Sequence, residues 1–259
     1  MYLTYDCETM DADEKLIFDI GLAVHDIKGN VKHKTHFLID EIYNDIEIMD
    51  MAYYKKNIPI YEEMLKNKKI NILSWYEFVN KFRRIIKEFD INTICAYNLR
   101  FDLHALFTTH NYVHHRKMKP RNSNGVVITQ KKVSKNNFYE FSQKFANENI
   151  FTKEMNYECI YIDMATPKLL ATKDYVQTAI NNEWLSEKKK VSSSAECAYR
   201  YITNDYNFVE AHTSLEDVLI EVELFKKCQE LPIAFEGSCK VPWKVLELIR
   251  EENSIVKSI

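Results

Sequence analysis

The sequence predicts an α/β fold, a mixed sheet flanked by helices, and three observations carry that reading. Three apolar, strand-like stretches open the chain in a row, at Tyr2–Cys7, Leu16–Asp26 and Val31–Ile39, as expected of an antiparallel meander. Helical and strand patterns then alternate, the arrangement that joins parallel strands. The composition, 46% hydrophobic and 13% aromatic over 259 residues, suffices for one sizeable core.

Between the second and third strands, "DIKGN" at Asp26–Asn30 has hairpin-turn chemistry. "SWYEFVNKFRRIIKEF", Ser74–Phe89, reads as a helix. Ser74 and Glu77 form a capping box, and Phe78, Phe82, Ile85 and Phe89 recur at helical spacing. A short strand at Thr93–Tyr97 and a helix from Phe101 to Thr109 follow. From His114 to Lys135 the chain carries Arg116, Lys117, Lys119, Arg121, Lys131, Lys132 and Lys135 with no Asp or Glu. That stretch fits a solvated loop or a flap that grips a polyanion. A strand at Cys159–Asp163 precedes helices near Met164–Ala171 and Tyr175–Trp184. The basic loop Ser186–Glu196 ends in a helix cap, and long helices span about Ser214–Lys227 and Pro242–Glu252. With no repeats and no boundary signal, the chain reads as a single domain, 1–259, with a basic insertion about 113–157 and a helical extension about 230–259.

Charge and cysteine content narrow the function classes. A net charge of −3 gives no global attraction to nucleic acid or acidic membranes, so a polyanion must be held locally or through metal ions. The six cysteines form no C-x-x-C pair and no compact framework, and read as reduced thiols, mostly core. The start lacks a signal-peptide pattern and no apolar run reaches membrane-spanning length, so an intracellular, cytoplasmic protein is expected.

Three stretches carry chemistry. In "LTYDCETMD", Asp6 and Glu8 are two residues apart in a strand and project from one face. Two like charges there are costly unless a cation lies between them, whether a metal ion, Lys or Arg, or unless water bathes them. In "CAYNLRFDLHAL", Asp102 falls in the first turn of a helix, where an acid is unremarkable on its own. In "EAHTSLEDVLIEVELF", His212 and Asp217 would lie about 140° apart on one continuous helix. Ser214 as the cap would put Asp217 at the third helical position and leave His212 in the lead-in loop, free to turn back. Taken alone, that stretch is also an ordinary capping box beside a surface His. His110 and His114 have the i, i+4 spacing of zinc ligands but lack the Glu of H-E-x-x-H.

Together, "DCET", "AYN-x-x-FD" and "H-x-x-x-x-D" resemble the motifs of the DEDDh exonucleases. That family includes RNase T, oligoribonuclease and the proofreading subunit of bacterial DNA polymerase III. Asp6, Glu8 and Thr9 match its first motif, and Asn98, Phe101 and Asp102 match its second, with Tyr97 where the family usually has His. His212 and Asp217 match its third, and "YIDMATPKLL" resembles its apolar strand ending in Asp before a helix. The likeness runs from about Tyr2 to Lys227; the basic insertion and the carboxy-terminal tail look most like phage-encoded members.

The resemblance implies an RNase H-like fold and hydrolysis of phosphodiester bonds from a free 3′ end. It further implies two Mg²⁺ or Mn²⁺ ions on Asp6, Glu8, Asp102 and Asp217, with His212 as general base. Thr9, Met10 and Asn98 would contact the terminal nucleotide, although Met10 is equally suited to the core. The substrate is expected to be single-stranded DNA rather than RNA. Two other readings stay open: a non-catalytic nucleic-acid-binding or polymerase-associated module of the same fold, and an acidic cluster neutralised by Lys or Arg.

Overall fold

The computed structural model describes residues 1–10, 15–50, 52, 55–118, 138–151, 157–231 and 244–256. β1 (Tyr2–Thr9), β2 (Ile17–His25) and β3 (Val31–Ile39) form the expected antiparallel meander. Asp26 closes the β2–β3 turn: its Oδ1 accepts from the N–H groups of Lys28 and Asn30 at 2.9 and 3.0 Å. Gly29 supplies the left-handed residue there, with φ +76°.

Four short elements follow, in a region where the sequence predicts none. They are α1 (Asp40–Tyr43), α2 (Ile46–Met49), a 3-10 turn at Lys55–Asn57 and α3 (Ile58–Lys66). The longest has nine residues, too few for apolar recurrence to stand out. β4 (Asn71–Leu73) then leads into α4 (Trp75–Glu88), whose capping box forms as expected: the Ser74 N–H donates to Glu77 Oε2 at 2.9 Å.

β5 (Thr93–Ala96) is followed by α5 (Leu99–Met118), which runs well past the expected end at Thr109. Arg116 and Lys117 therefore lie on a helix, while the other basic residues, Lys119 to Lys135, fall outside the described residues. α6 (Phe138–Asn149) leads to β6 (Glu158–Tyr161), then α7 (Ile162–Leu169), α8 (Lys173–Asn181) and α9 (Ala195–Thr203). Asp163 is in the first turn of α7 and not at the end of the strand. α10 (Ser214–Glu230) and α11 (Lys244–Val256) complete the chain.

The molecule is α/β, with the six strands in one mixed sheet of order β4-β3-β2-β1-β5-β6. β1 is its hinge, antiparallel to β2 and parallel to β5. Leu3, Tyr5 and Cys7 face one way, into a core shared with Phe78 and Phe82 of α4 and Leu103 and Leu106 of α5. Tyr2, Thr4, Asp6 and Glu8 face the other way, under α10, where Phe225 packs tilted against Tyr2 and edge-on against His25. No described helix is long and apolar enough to cross a membrane. The described cysteines are all free thiols, each buried except the half-buried Cys159.

Candidate metal centre

The site begins with strand register. Asp6 pairs with Gly21 and Glu8 with Asp19 across β1 and β2, so all four lie on the α10 side of the sheet. Gly21 is required there: a Cβ at that position would meet Leu215 N and Ser214 C at 2.4 Å. The first turn of α10 thus rests on the bare backbone of β2, beside Asp6. That contact brings Asp217 to the paired carboxylates.

Asp19, fully buried, ties the helix down. Its Oδ1 accepts from Ser214 Oγ at 2.7 Å and its Oδ2 from the Ser214 N–H at 3.0 Å. His36 Nε2 lies 2.6 Å from Oδ1, and the Tyr61 hydroxyl donates to Oδ2 at 2.7 Å. An acid with four partners at a helix N-terminus satisfies orphan donors and meets the positive end of the dipole. This arrangement corrects the expected cap. Ser214 is the first helical residue, because its hydroxyl is drawn to Asp19, and Thr213 is the N-cap. Asp217 is consequently at the fourth helical position. Glu216 takes the third, accepting from Thr213 Oγ1 at 3.0 Å.

His212 sits in the lead-in loop, as expected, in the left-handed region at φ +54°. That conformation costs a non-glycine residue on the order of 1 kcal/mol and persists because the loop is clamped. Asn57 Nδ2 donates to the carbonyls of Ala211 and His212 at 3.0 and 2.8 Å. From the other side, Arg200 Nε donates to Phe208 O at 2.6 Å, and Glu196 Oε1 accepts from the Glu210 N–H at 3.0 Å. The ring turns back as the spacing requires. Glu8, His212 and Asp217 each bring one ligand atom within 4.8 Å of the others, and this group can hold a metal ion. His212 Nδ1 also lies 3.7 Å from Glu210 Oε2.

Asp102 comes from α5, whose Leu103 and Leu106 pack in the core on the α4 side of the sheet. The Asn98 carbonyl accepts from the N–H groups of Phe101 and Asp102 at 2.7 and 3.4 Å, starting α5 so that Asp102 falls in its first turn. The residue is 2% exposed, and the charge that acts on it most strongly is that of Asp6.

These acids resist ionisation together. Burial, followed by the charge of Asp19, pushes Asp6 up to about 7. Burial and then Asp6 raise both Glu8 and Asp217, and the same two causes hold Asp102 well above the carboxylate range. Burial also brings Glu210 up to about 7 and Asp163 to about 6. His212 moves the other way, lowered first by burial. Among the described residues no Lys or Arg forms an ion pair with Asp6, Glu8, Asp102 or Asp217. Asp102 Oδ1 and Asp217 Oδ1 are buried without a hydrogen-bond partner. Buried carboxylates with idle oxygens and no counter-charge suit a hard divalent cation such as Mg²⁺ or Mn²⁺.

The expected substrate contacts divide. Asn98 is exposed next to Asp102, and Thr9 is buried at the end of β1. Met10 is 1% exposed inside the main core, its N–H donating to Leu16 O at 3.0 Å; it is the core side chain of the two readings weighed for it. His110 Nδ1 accepts from Trp75 Nε1 at 3.1 Å, which gives that ring a structural role.

Sequence reasoning missed Asp19, Gly21, Asn57, Tyr61 and Glu221. Asp19 had a signal, a lone acid within the apolar run "LIFDIG", and so had Glu221, one helical turn after Asp217. Asn57 and Tyr61 had none, since only tertiary folding brings them to the loop and to Asp19. No protein-family model matches this chain, and no curated protein matches it significantly.

Proposed function

We propose that this chain is a metal-dependent 3′–5′ exonuclease of the DEDDh type, with an RNase H-like fold. It would release nucleoside monophosphates from the 3′ end of single-stranded nucleic acid, DNA in preference to RNA. One observation carries the reading: three sequence motifs meet at one end of β1 as a buried acidic cluster with no counter-charge among the described residues, next to a clamped His. The topology supports it too, an antiparallel meander whose first strand continues in parallel into β5 and β6. Asp6, Glu8, Asp102 and Asp217 would hold two Mg²⁺ or Mn²⁺ ions. Bound there, such ions supply polarisation of the scissile phosphate and offset the charge on the leaving 3′ oxygen.

The chain's own groups do the rest. His212 accepts the proton of the attacking water at a ring nitrogen; its depressed basicity keeps it neutral and ready to accept near pH 7. Glu210, 3.7 Å from Nδ1, is placed to stabilise the imidazolium once it forms. Asn57 keeps the loop from relaxing out of its left-handed turn. Asn98, exposed at the edge of the cluster, is available to the terminal nucleotide.

Matched DNA and RNA oligonucleotides, labelled at either end, test the proposal in Mg²⁺ and in chelator. Stepwise shortening from the 3′ end in Mg²⁺ alone is expected, faster on DNA. Intact strands of both kinds in the presence of Mg²⁺ and Mn²⁺ would remove the enzymatic reading.

A further inference from the structure

We infer that Glu221 is a fifth carboxylate of the cation site, acting on the bound ions from one helical turn below Asp217. The inference rests on the metal-dependent reading above and extends it to a residue outside the three motifs. Residues i and i+4 share a helix face, so Glu221 projects in the same direction as Asp217, towards the sheet. It is 3% exposed, in a stretch of α10 where Ile220, Val222 and Leu224 are all buried in apolar clusters.

Its surroundings point to a ligand. Oε2 is buried and has no hydrogen-bond partner, while the carboxylate accepts from the Tyr97 N–H just past β5. The charges that act on it most strongly are those of Asp6, Asp102 and Asp217, three of the four carboxylates assigned to the ions. No Lys or Arg among the described residues forms an ion pair with it. Three unpartnered oxygens, on Asp102, Asp217 and Glu221, thus belong to acids that act on one another. Acids buried for structural reasons mostly find a donor for each oxygen. A carboxylate that completes the negative field of a cation site need not, because the cation is its partner.

Calorimetric titration with Mn²⁺ reads this directly, without turnover. Wild type, Glu221→Gln, Glu221→Leu and Asp217→Asn are compared, each stripped of metal and each checked for a cooperative melt in chelator. Glu221→Gln keeps the shape and removes the charge; it is expected to weaken Mn²⁺ binding by ~10–100-fold, the range for residues that support metal ligands. Glu221→Leu is expected to do the same, with a metal-free Tm at or above that of wild type. Wild-type affinity in both Glu221 variants, alongside loss in Asp217→Asn, would overturn the role of Glu221 and leave the metal site standing. Absence of Mn²⁺ binding in wild type would overturn both. Failure of both Glu221 variants to fold would make the carboxylate a requirement of the fold and overturn the inference as well.

Discussion

Leu3, Tyr5 and Cys7 leave β1 towards α4, while Thr4, Asp6 and Glu8 leave it towards α10, and the two sides are held by different forces. On the α4 side the contacts are aromatic and aliphatic: Tyr5 meets Phe82 edge-on at 6.2 Å and Phe37 meets Phe78 at 6.2 Å. Their stabilisation is non-directional and grows with apolar area removed from water. On the α10 side, the end that carries Asp6 and Glu8 is acidic, and its fit depends on single atoms. It needs the missing Cβ of Gly21, the four bonds to Asp19 and the Asn57 clamp on the loop. One face supplies the stability that the other spends. A strand can be structural and chemical at once because its period of two assigns the roles to alternate residues.

The comparison breaks most sharply under one substitution on each face. Asp6→Asn is expected to bring the proposed nuclease activity to background while the metal-free protein keeps or gains stability, since neutralising Asp6 relieves Glu8, Asp102 and Asp217. Phe82→Ala should do the reverse, costing ~3–5 kcal/mol in denaturant melts while the surviving folded molecules turn over normally. Near-normal turnover of Asp6→Asn in Mg²⁺ would sink the catalytic assignment of that face.

His212→Ala comes next in size. Loss of a general base costs ~10²–10⁴-fold in rate, and single-turnover kinetics should show that loss. Because the ring lies within 4.8 Å of the Glu8 and Asp217 ligand atoms, Mn²⁺ titration of the same variant separates two roles. Unchanged affinity identifies the base, whereas affinity lost in proportion to rate identifies a ligand. Tyr61→Phe is milder and tests support from a distance. It removes one hydrogen bond to the Asp19 carboxylate, worth ~1.5–3 kcal/mol, and should lower both the melting midpoint and turnover. A fall in stability with turnover intact would confine the Asp19 network to the fold.

What could be read in advance follows the same division. The meander, the capping box of α4 and the carboxylates of β1 are local patterns, set by a period of two or by an i, i+3 pair, and each is found where the spacing puts it. The position of His212 before α10 was also legible, because a continuous helix could not have served one site from both residues. Ser214 was misassigned for a physical reason: a capping residue is recognised by its neighbours in sequence, and its partner here, Asp19, is far away in the chain. Asn57 bonds to His212 across 155 residues, and Tyr61 reaches Asp19 across 42. Tertiary acceptors of this kind leave no trace in periodicity.

The smallest effect is a pH dependence that only one face should show. Asp6 has its folded value raised to about 7, above the ~3.9 of an unfolded chain. A group raised on folding binds its proton more tightly when folded, so its contribution to stability is complete below ~pH 4 and is lost as pH rises through about 7. Glu8, Asp102 and Asp217 are displaced in the same direction, with burial and then Asp6 as their leading causes, and they extend the loss to higher pH. Metal-free protein should therefore melt several degrees lower at pH 8 than at pH 5, given that ~1 kcal/mol moves Tm by ~2–4 °C in chains of nearly this size. Mn²⁺ should close that gap from the high-pH side, because it binds the ionised acids and not the protonated ones. Asp6→Asn should show a shallower slope, and Phe82→Ala should melt lower at every pH with the wild-type slope intact. A flat profile in the metal-free wild type would mean that the acids of the α10 face are already compensated in the fold, and that no cation is needed there.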